Sequence, residues 1–180
     1  RYIEKEEKYE NIHITSLDLE NRTELYTIHD MKSEWDGMKE IKRVIEKVAD
    51  TDSSILIHGK TGTGKEMVAE SIHTSGSRRQ KKFVSQNCAA IPANLLESIL
   101  FGTVRGSFTG AENRKGLLEV ADGGTLFLDE INTLDYNLQA KLLKAIENGK
   151  IMRVGGTEEI KVNVRIIAAT NKDLFMMVQD

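Results

Sequence analysis

The sequence has a single cysteine, a small net charge and no long apolar run. Each of these features excludes a class of protein. Among 180 residues there is one cysteine, Cys88, so no internal disulfide framework can form, and the chain suits a reducing cytoplasm. The formal net charge of -3 provides no basic field that would argue for nucleic acid. No apolar run approaches the roughly 20 residues that a membrane helix needs. A signal-peptide pattern is missing as well, so we expect no membrane partner.

What is present is the composition of a globular domain, with 39% hydrophobic and 29% charged residues. Residues 1–25 are rich in charge and lack clear periodicity. They are predicted to be a linker or the end of an upstream sensory region, and residues 26–180 to form the domain. The chain opens on Arg1 rather than Met, which suggests a piece of a longer protein.

Strand and helix patterns alternate along the chain, which predicts an α/β domain with a mostly parallel sheet. Apolar residues at helical spacing, Met38, Ile41, Ile45 and Val48, predict a helix after Ser33. Further helices are predicted in KEMVAESIHTS, ANLLESILFG and LDYNLQAKLLKAIENG. Short apolar runs predict buried strands at ILIH, KFVSQ, TLFLDE and RIIAATN. A flexible loop is expected in GTVRGSFTGAENRKG, and a hairpin around Gly155 and Gly156.

A glycine loop, GKTGTGKE, follows the first predicted strand and opens a predicted helix. Gly59, Gly62 and Gly64 let backbone N–H groups turn inward, and the helix N-terminus adds a positive dipole end for a phosphate anion. Lys65 then reaches the β- and γ-phosphates. A purely structural turn is the alternative, but the order of strand, loop, lysine and helix favours a nucleotide site. The remaining nucleotide-binding candidates are Lys60, Thr61, Thr63, Glu66 and Met67.

Glu66 stands where the phosphate-loop motif usually has Ser or Thr. Its carboxylate replaces the missing hydroxyl only by approaching Mg²⁺ directly or through a water. Alternatively, Glu66 points away and leaves Asp129 and waters to hold the metal. The residues leave both arrangements open.

Two acids, Asp129 and Glu130, end the predicted strand TLFLDE. In a nucleoside triphosphatase, Asp129 would hold Mg²⁺ and Glu130 would activate the attacking water. A pair of helix-capping acids is the alternative, and the preceding glycine loop favours the catalytic interpretation. The two motifs together predict ATP hydrolysis with Mg²⁺ as cofactor.

Two asparagines follow predicted strands at the edge where ligands of open α/β sheets gather. Asn171 is placed to position the water at the γ-phosphate, although a lone Asn after a strand is often a turn residue. The amide of Asn87 would hydrogen-bond Glu130 and hold it until needed. Cys88 beside Asn87 is predicted to be a small buried residue rather than a nucleophile.

Phe108 stands among small residues in the segment GSFTGA. From spacing alone, the favoured interpretation is that Phe108 folds back into the core. A contact with a partner is the alternative, since an exposed aromatic on a glycine-flanked tip loses hydration free energy unless it packs.

GKTGTGKE, GSFTGA and ADGGTLFLDEI, in this order and spacing, resemble the AAA+ ATPase domain of sigma-54-dependent transcriptional activators, the bacterial enhancer-binding proteins. NCAAIPANLLESILFG, LQAKLLKAIENG, RVGGT and AATN extend the likeness from about Tyr26 to Asp180. GTVRGSFTGAENRKG and the DEIN spelling are most similar to arginine-utilisation regulators. The resemblance implies a P-loop NTPase with a three-layer αβα sandwich.

The resemblance also assigns roles to residues. It implies that Gly59 to Glu66 form the Walker A loop, with Glu after the lysine as the usual spelling, and that Asp129 and Glu130 are the Walker B acids. Asn87 would be the switch partner of Glu130, and Asn171 the sensor I residue. The loop that contacts sigma-54 in the RNA polymerase holoenzyme would comprise Gly106, Ser107, Phe108, Thr109, Gly110 and Ala111, with Phe108 and Thr109 at its tip.

The likeness further implies a ring, expected to be a hexamer, that remodels the closed promoter complex. The arginine finger, the final sheet strand, the helical lid and the sensor II arginine are expected beyond Asp180, followed by a domain that binds enhancer DNA. The chain alone is therefore expected to be nearly inactive as an ATPase, since an arginine finger is worth about 10³ to 10⁵ in rate. Two spellings depart from the family pattern: Ser107 replaces the usual Ala, and Lys60 a common Glu.

Three alternatives remain open at this point. The Walker residues also suit another AAA+ machine, such as a helicase loader or a protein unfoldase. The chain is otherwise a nucleotide-binding or oligomerisation module without turnover. A third possibility is that a shortened sheet leaves the Walker site disordered and unable to bind nucleotide.

Overall fold

The computed structural model describes residues 24–32 and 36–172. Helices separate most of its strands in chain order, and a 3₁₀ turn over Ile131–Thr133 follows the fifth strand. The helices are α1 (Asp36–Ala49), α2 (Lys65–Ser75), α3 (Ala93–Phe101), α4 (Leu117–Val120) and α5 (Tyr136–Asn148). The strands are β1 (Ile55–His58), β2 (Phe83–Asn87), β3 (Gly102–Thr103), β4 (Arg114–Lys115), β5 (Thr125–Asp129), β6 (Lys150–Ile151), β7 (Ile160–Lys161) and β8 (Arg165–Thr170).

Four strands form the central sheet in the order β1-β8-β5-β2, and every pairing is parallel. The last of these strands in the chain, β8, therefore lies between β1 and β5. The predicted α/β fold with a parallel sheet is confirmed. The predicted strands and helices form within a residue or two of the expected bounds; β2, for example, begins at Phe83 rather than Lys82.

The prediction that ILIH is a buried strand is wrong for one face of β1. Leu56 is 49% exposed and His58 is exposed. Ile55 and Ile57 on the opposite face pack against the core. The difference arises because β1 is at the edge of the described sheet, so the side chains that point away from α1 and α2 have no helix above them.

Successive side chains of each strand point to opposite faces of the sheet, so they pack into two hydrophobic clusters. Leu126 and Leu128 of β5 join a cluster with α3, α4 and α5. Phe127, one position between them, joins a second cluster with α1 and α2. The sheet is therefore covered on both faces, which gives three layers, αβα, and explains the continuous apolar composition of β5.

Helix α5 shows how local sequence sets an element's ends. Asp135 caps its N-terminus, because the side chain accepts a hydrogen bond from the N–H of Leu138 at 2.8 Å. Gly149 ends it in the left-handed region at φ 61°, where its N–H bonds the carbonyl of Ala145. The predicted amphipathic helix with a glycine stop is confirmed.

A buried arginine lies at the end of the sheet where the parallel strands begin. Arg165, at the start of β8, is 3% exposed and donates to the carbonyl oxygens of Val48 and Ala49, both at 2.5 Å. These carbonyls end α1 and have no partner within their own helix. Arg165 therefore fastens α1 to the central strand.

Residues before α1 also pack on the domain. The backbone N–H of Tyr26 donates to Glu70 of α2 at 2.7 Å, and Thr74 donates to the carbonyl of Tyr26 at 3.1 Å. Met31 is buried in the α1–α2 cluster. The predicted linker, residues 1–25, lies outside the described residues except for its last two positions, and so does Ser33. Within the described residues, no helix is long and apolar enough to cross a membrane.

We expect the free energy of unfolding to fall in mild acid because of His73. This residue of α2 is 1% exposed and pairs with Thr125 through Nδ1 at 2.9 Å. Burial lowers the pKa of His73 from 6.5 to about 4, and the charges of Arg165 and Arg78 act in the same direction. The unfolded chain therefore binds the extra proton between pH 6.5 and 4, and stability is lost as pH falls through that window.

Urea unfolding at pH 7 and pH 5 measures this effect. The wild type should lose roughly 2 kcal/mol from His73 over that interval. His73→Gln should remove most of this loss. The exposed His29→Gln variant should retain it as the matched control, and an unchanged pH dependence in His73→Gln would contradict the assignment.

Candidate functional site

The carboxyl ends of the strands bring the predicted site residues to one edge of the sheet. His58 pairs in register with Thr170, and Asn87 with Asp129. The N–H of Gly59 donates to the carbonyl of Thr170 at 3.1 Å, so the glycine loop begins beside the end of β8. The convergence that the sequence predicts for these motifs is confirmed.

The glycine loop has the backbone geometry of an anion cradle. Gly62 and Gly64 lie in the left-handed region, at φ 81° and 82°, which side chains rarely adopt. Thr63 closes the turn, since its N–H and its hydroxyl both donate to the carbonyl of Lys60, at 3.3 and 2.7 Å. Helix α2 starts directly afterwards at Lys65, so its first N–H groups and positive dipole end face the loop.

Lys65 is buried beneath this loop, with 8% of its surface exposed. Its Nζ donates to the carbonyl oxygens of Gly59 and Lys60, both at 3.1 Å. An ammonium group has three donors, so one remains for an anion in the cradle. The loop therefore holds the charged Nζ of Lys65 beside the cradle in which the sequence predicts that a phosphate binds.

Glu66 turns towards the neighbouring strand β2. The hydroxyl of Ser85 donates to Oε1 of Glu66 at 3.3 Å. The carboxylate also sits in the first turn of α2, where the helix dipole favours negative charge. The contact directs Oε1 of Glu66 at β2, and the role of Glu66 at the metal stays a prediction.

Asp129 and Glu130 end β5 in a tight turn. Oδ1 of Asp129 accepts the N–H of Glu130 at 2.9 Å, which leaves the other carboxylate oxygen for a ligand. Glu130 has φ 53° and is the one non-glycine residue of the described chain with a positive φ. Such backbone costs of order 1–3 kcal/mol and is typically retained at functional sites.

The two predicted asparagines occupy the same edge. Nδ2 of Asn171 donates to Thr61 Oγ1 in the glycine loop at 3.3 Å. Oδ1 of Asn87 instead accepts the N–H groups of Ala89 and Ala90, at 2.9 and 3.3 Å. No hydrogen bond joins Asn87 to Glu130 in the described structure, so the switch contact stays a prediction.

Cys88 is not a nucleophile. It is 2% exposed, and burial, together with the charges of Asp129 and Glu130, raises the pKa of its thiol to about 12. A thiol with such a pKa stays protonated near neutrality. The sequence-based interpretation of Cys88 as a small buried residue is confirmed.

The segment Gly106–Ala111 forms an ordered loop above a short stem. The stem is the antiparallel pair β3–β4. Gly106 donates to the carbonyl of Ala111 at 3.2 Å, and Ala111 donates back to the carbonyl of Phe108 at 3.0 Å. Phe108 is 49% exposed at the tip. The prediction from spacing that Phe108 folds into the core is wrong, because this hydrogen-bonded turn directs it outwards.

The loop rests on the segment that follows β6. Val104 donates to the carbonyl of Val154 at 3.2 Å. A Cβ added at Gly155 would lie 2.4 Å from Cβ of Ser107, so only glycine lets the two segments approach this closely. The hydroxyl of Ser107 is buried without a hydrogen-bond partner in the described structure.

An ion pair fixes the segment that supports the loop. Arg153 donates to both carboxylate oxygens of Glu119, at 2.8 and 2.7 Å, and the carboxylate is largely buried. Although burial raises the pKa of Glu119, the hydrogen bonds from Arg153 and Gly116 lower it below its usual value. Sequence reasoning missed this pair and Ser85. Ser85 could have been found from the sequence, because side chains alternate along a strand and Ser85 therefore lies on the same face of β2 as Asn87.

Comparison with known proteins identifies a family. The sigma-54 interaction domain matches residues 31–180. The chain is 54% identical over 145 residues to the DNA-binding transcriptional activator HyfR of Escherichia coli strain K12, covering 80% of this chain and 22% of HyfR. It is 49% identical over 148 residues to the transcriptional activator RocR of Bacillus subtilis strain 168, covering 82% of this chain and 32% of RocR. The chain thus spans less than a third of these curated relatives.

Solved structures agree with this placement. NtrX from Brucella abortus in complex with ADP has a TM-score of 0.76 at 38% identity, over 82% of this chain and 32% of that one. The ATP complex of the same protein has a TM-score of 0.75 at 35% identity, over 99% of this chain and 37% of that one. The P-loop NTPase domain of a sigma-54 activator from E. coli, at 18% identity and a TM-score of 0.54, supports the fold alone.

We expect Gly155→Ala to displace the Gly106–Ala111 loop. The new Cβ collides with Ser107, and φ +73° at this position is strained for any side chain. Amide hydrogen exchange at Val104, Ser107 and Ala111 should accelerate by about tenfold or more, since their hydrogen bonds depend on this footing. Gly156→Ala, whose added Cβ would approach Val104 at 3.2 Å but not Ser107, is the control for the amides of Ser107 and Ala111. Unchanged exchange in Gly155→Ala would show that the loop does not depend on Gly155.

Proposed function

Because the chain belongs to the sigma-54 interaction domain family, we propose that it is the ATP-binding and ATP-hydrolysing core of a sigma-54-dependent transcriptional activator. One observation carries the proposal: the lysine-bearing glycine loop, the Asp129–Glu130 turn and Asn171 meet at one edge of the sheet. Residues 26–180 would form part of that AAA+ domain, preceded by a linker in residues 1–25.

The glycine loop would hold the nucleotide's phosphates. Backbone N–H groups within Gly59 to Met67, other than those of Gly59 and Thr63 that already bond carbonyl oxygens, would supply donors at the N-terminus of α2, and Lys65 would supply a fixed positive charge. The structures of NtrX with ADP and with ATP support this assignment, because NtrX contains a similar domain and binds nucleotide. Lys60 is exposed on the same loop and adds a second positive charge beside it.

The donor set fits Mg²⁺ bound together with the nucleotide. Among the described residues, no group of three or more histidine, cysteine or acidic side chains forms a metal cage. Mg²⁺ is typically bound through one or two carboxylates plus substrate phosphates, and Asp129 has one oxygen free for this purpose. When bound there, the ion supplies neutralisation of charge on the phosphate oxygens.

Hydrolysis requires a base, and Glu130 would be that base. Its carboxylate has no hydrogen bond or ion pair in the described structure, so it is free to accept a proton from an attacking water. Asn171, which reaches the glycine loop through Thr61, would orient the same water or the γ-phosphate. Asn87 would act as the switch that relays the nucleotide state.

The Gly106–Ala111 loop would contact sigma-54 in the RNA polymerase holoenzyme. Its half-exposed Phe108 and the neighbouring Thr109 form an outward tip on a hydrogen-bonded base, and an exposed aromatic is suited to a protein partner. Hydrolysis in a ring, expected to be a hexamer, would drive this loop and remodel the closed complex. A further domain outside this chain would bind enhancer DNA, consistent with the description of HyfR as a DNA-binding transcriptional activator.

Binding and turnover separate the roles of the loop and the base in the full-length protein. Lys65→Ala should weaken ATP binding about tenfold or more, since it removes a charge-assisted contact. Glu66→Ser should bind ATP within a few-fold of the wild type. Glu130→Gln should bind normally and hydrolyse roughly 10²–10⁴ times more slowly. Calorimetry and phosphate release measure the two steps.

Equal losses in Lys65→Ala and Glu66→Ser would contradict the position of Glu66 away from the metal. A wild-type protein that binds ATP without turnover would instead identify a binding or oligomerisation module. A wild type that does not bind ATP would show that the Walker site is not formed.

Partner contact is tested by alanine variants of the loop tip in the full-length protein. Phe108→Ala and Thr109→Ala should hydrolyse ATP normally and lose most transcription from a sigma-54 promoter, because they remove the contact without touching the nucleotide site. Tyr136→Ala, which removes an aromatic that is 84% exposed on α5, is the matched control and should activate normally. Normal activation by both tip variants would point to a different AAA+ machine.

A further inference from the structure

A hydrogen bond between Asn132 and Thr170 joins the two strand ends that carry the proposed catalytic groups. Thr170 is the last residue of β8 and is 1% exposed. Its hydroxyl donates to Oδ1 of Asn132 at 2.8 Å and accepts the N–H of Lys172 at 3.1 Å. Neither the nucleotide motifs nor the partner motif assigns a role to Asn132 or Thr170.

Asn132 belongs to the turn that sets the backbone of Glu130. Thr133 donates its N–H and its hydroxyl to the carbonyl of Glu130, at 3.0 and 2.8 Å. With the bond from the Glu130 N–H to Asp129, these contacts retain the left-handed conformation at φ 53°. All of them lie within residues 129–133, so they fix the shape of the turn but not its place relative to β8.

Thr170 connects that turn to the phosphate loop. Its carbonyl accepts the N–H of Gly59 at 3.1 Å, and the next residue, Asn171, bonds Thr61 of the same loop. A continuous series of contacts therefore runs from the loop that would hold phosphate, through Thr170 and Asn132, to the turn that carries Glu130. Hydrogen-bonded side chains of this kind can hold two groups at a set distance.

We propose that Asn132 and Thr170 are positioning residues for ATP hydrolysis: their hydrogen bond holds Glu130 at a fixed place relative to the phosphate loop. This inference rests on the proposed function. Neither side chain takes part in the chemistry. The contact acts through the geometry of the base, and a misplacement of about 1 Å in an active site can cost about 10²-fold in rate.

Nucleotide binding does not depend on this contact. The groups that would hold the phosphates are the loop backbone, the start of α2 and Lys65, whose Nζ is fixed by Gly59 and Lys60. Loss of the Asn132–Thr170 bond therefore separates turnover from binding. A merely structural role would instead lower stability, and with it binding and turnover together.

The test uses the full-length, oligomeric protein with ATP and Mg²⁺. Asn132→Ala and the isosteric Thr170→Val each remove the bond. Both should lower kcat by about tenfold, while the Kd for ATP and the melting temperature stay near those of the wild type. Thr170→Ser keeps the hydroxyl and should restore most of kcat. Asn137→Ala, an exposed asparagine five residues from Asn132, is the control and should match the wild type.

The double variant decides whether the two residues act through one another. Asn132→Ala combined with Thr170→Val should be no slower than the slower single variant, since the Asn132–Thr170 bond is lost in every case. Three outcomes would each overturn the inference. The first is a double variant whose loss of kcat is the product of the two single losses, and the second is a kcat within twofold of the wild type in both single variants. The third is a loss of ATP affinity that parallels the loss of kcat. If buried Thr170→Val does not fold, the half-buried Asn132→Ala variant decides alone.

The outcome for the wild type separates this inference from the proposed function. An active wild type with unaffected variants overturns only the positioning role. A wild type that does not hydrolyse ATP overturns the proposed function and the positioning role that rests on it.

Discussion

The placement of β8 between β1 and β5 is the constraint on which the rest of the structure depends. Parallel pairing on both sides puts the end of β8 beside the start of the glycine loop and near the acids that end β5. These three segments are separated by tens of residues in the sequence. The loop with Lys65 and the turn with Glu130 follow strands β1 and β5, which do not pair with each other, so β8 is the strand that joins them in one sheet.

Two buried cations show how the same physical solution serves different purposes at opposite ends of the sheet. Lys65 and Arg165 are each more than nine-tenths buried, and backbone carbonyl oxygens accept hydrogen bonds from both. The Arg165 guanidinium donates to carbonyl oxygens at the end of α1, so its role is to join that helix to the sheet. Lys65 lies across a glycine loop at a helix N-terminus, where its charge is available to the proposed phosphate.

The Gly106–Ala111 loop combines an exposed tip with an ordered base. Its stem is short, but hydrogen bonds to Val154 and close packing on Gly155 hold it, and the Glu119–Arg153 ion pair fixes that support in turn. In the proposed function, a loop with such a base would move together with the segment that supports it. This property suits the proposed contact with a large partner that must be moved.

The sequence by itself determined the order of strands and helices, the glycine loop, the acids and the α/β class, because periodicity and glycine or charge placement are local properties. It also carried the family likeness, since several motifs stand at set distances. Only the tertiary structure decided that β1 exposes Leu56 and that Glu66 meets Ser85. For Phe108 it decided between two expectations, in favour of the outward tip that the family likeness implied. It alone placed Asn132 on Thr170, 38 residues away. Such outcomes depend on which strands become neighbours, and pairing across long sequence separations leaves no local signal.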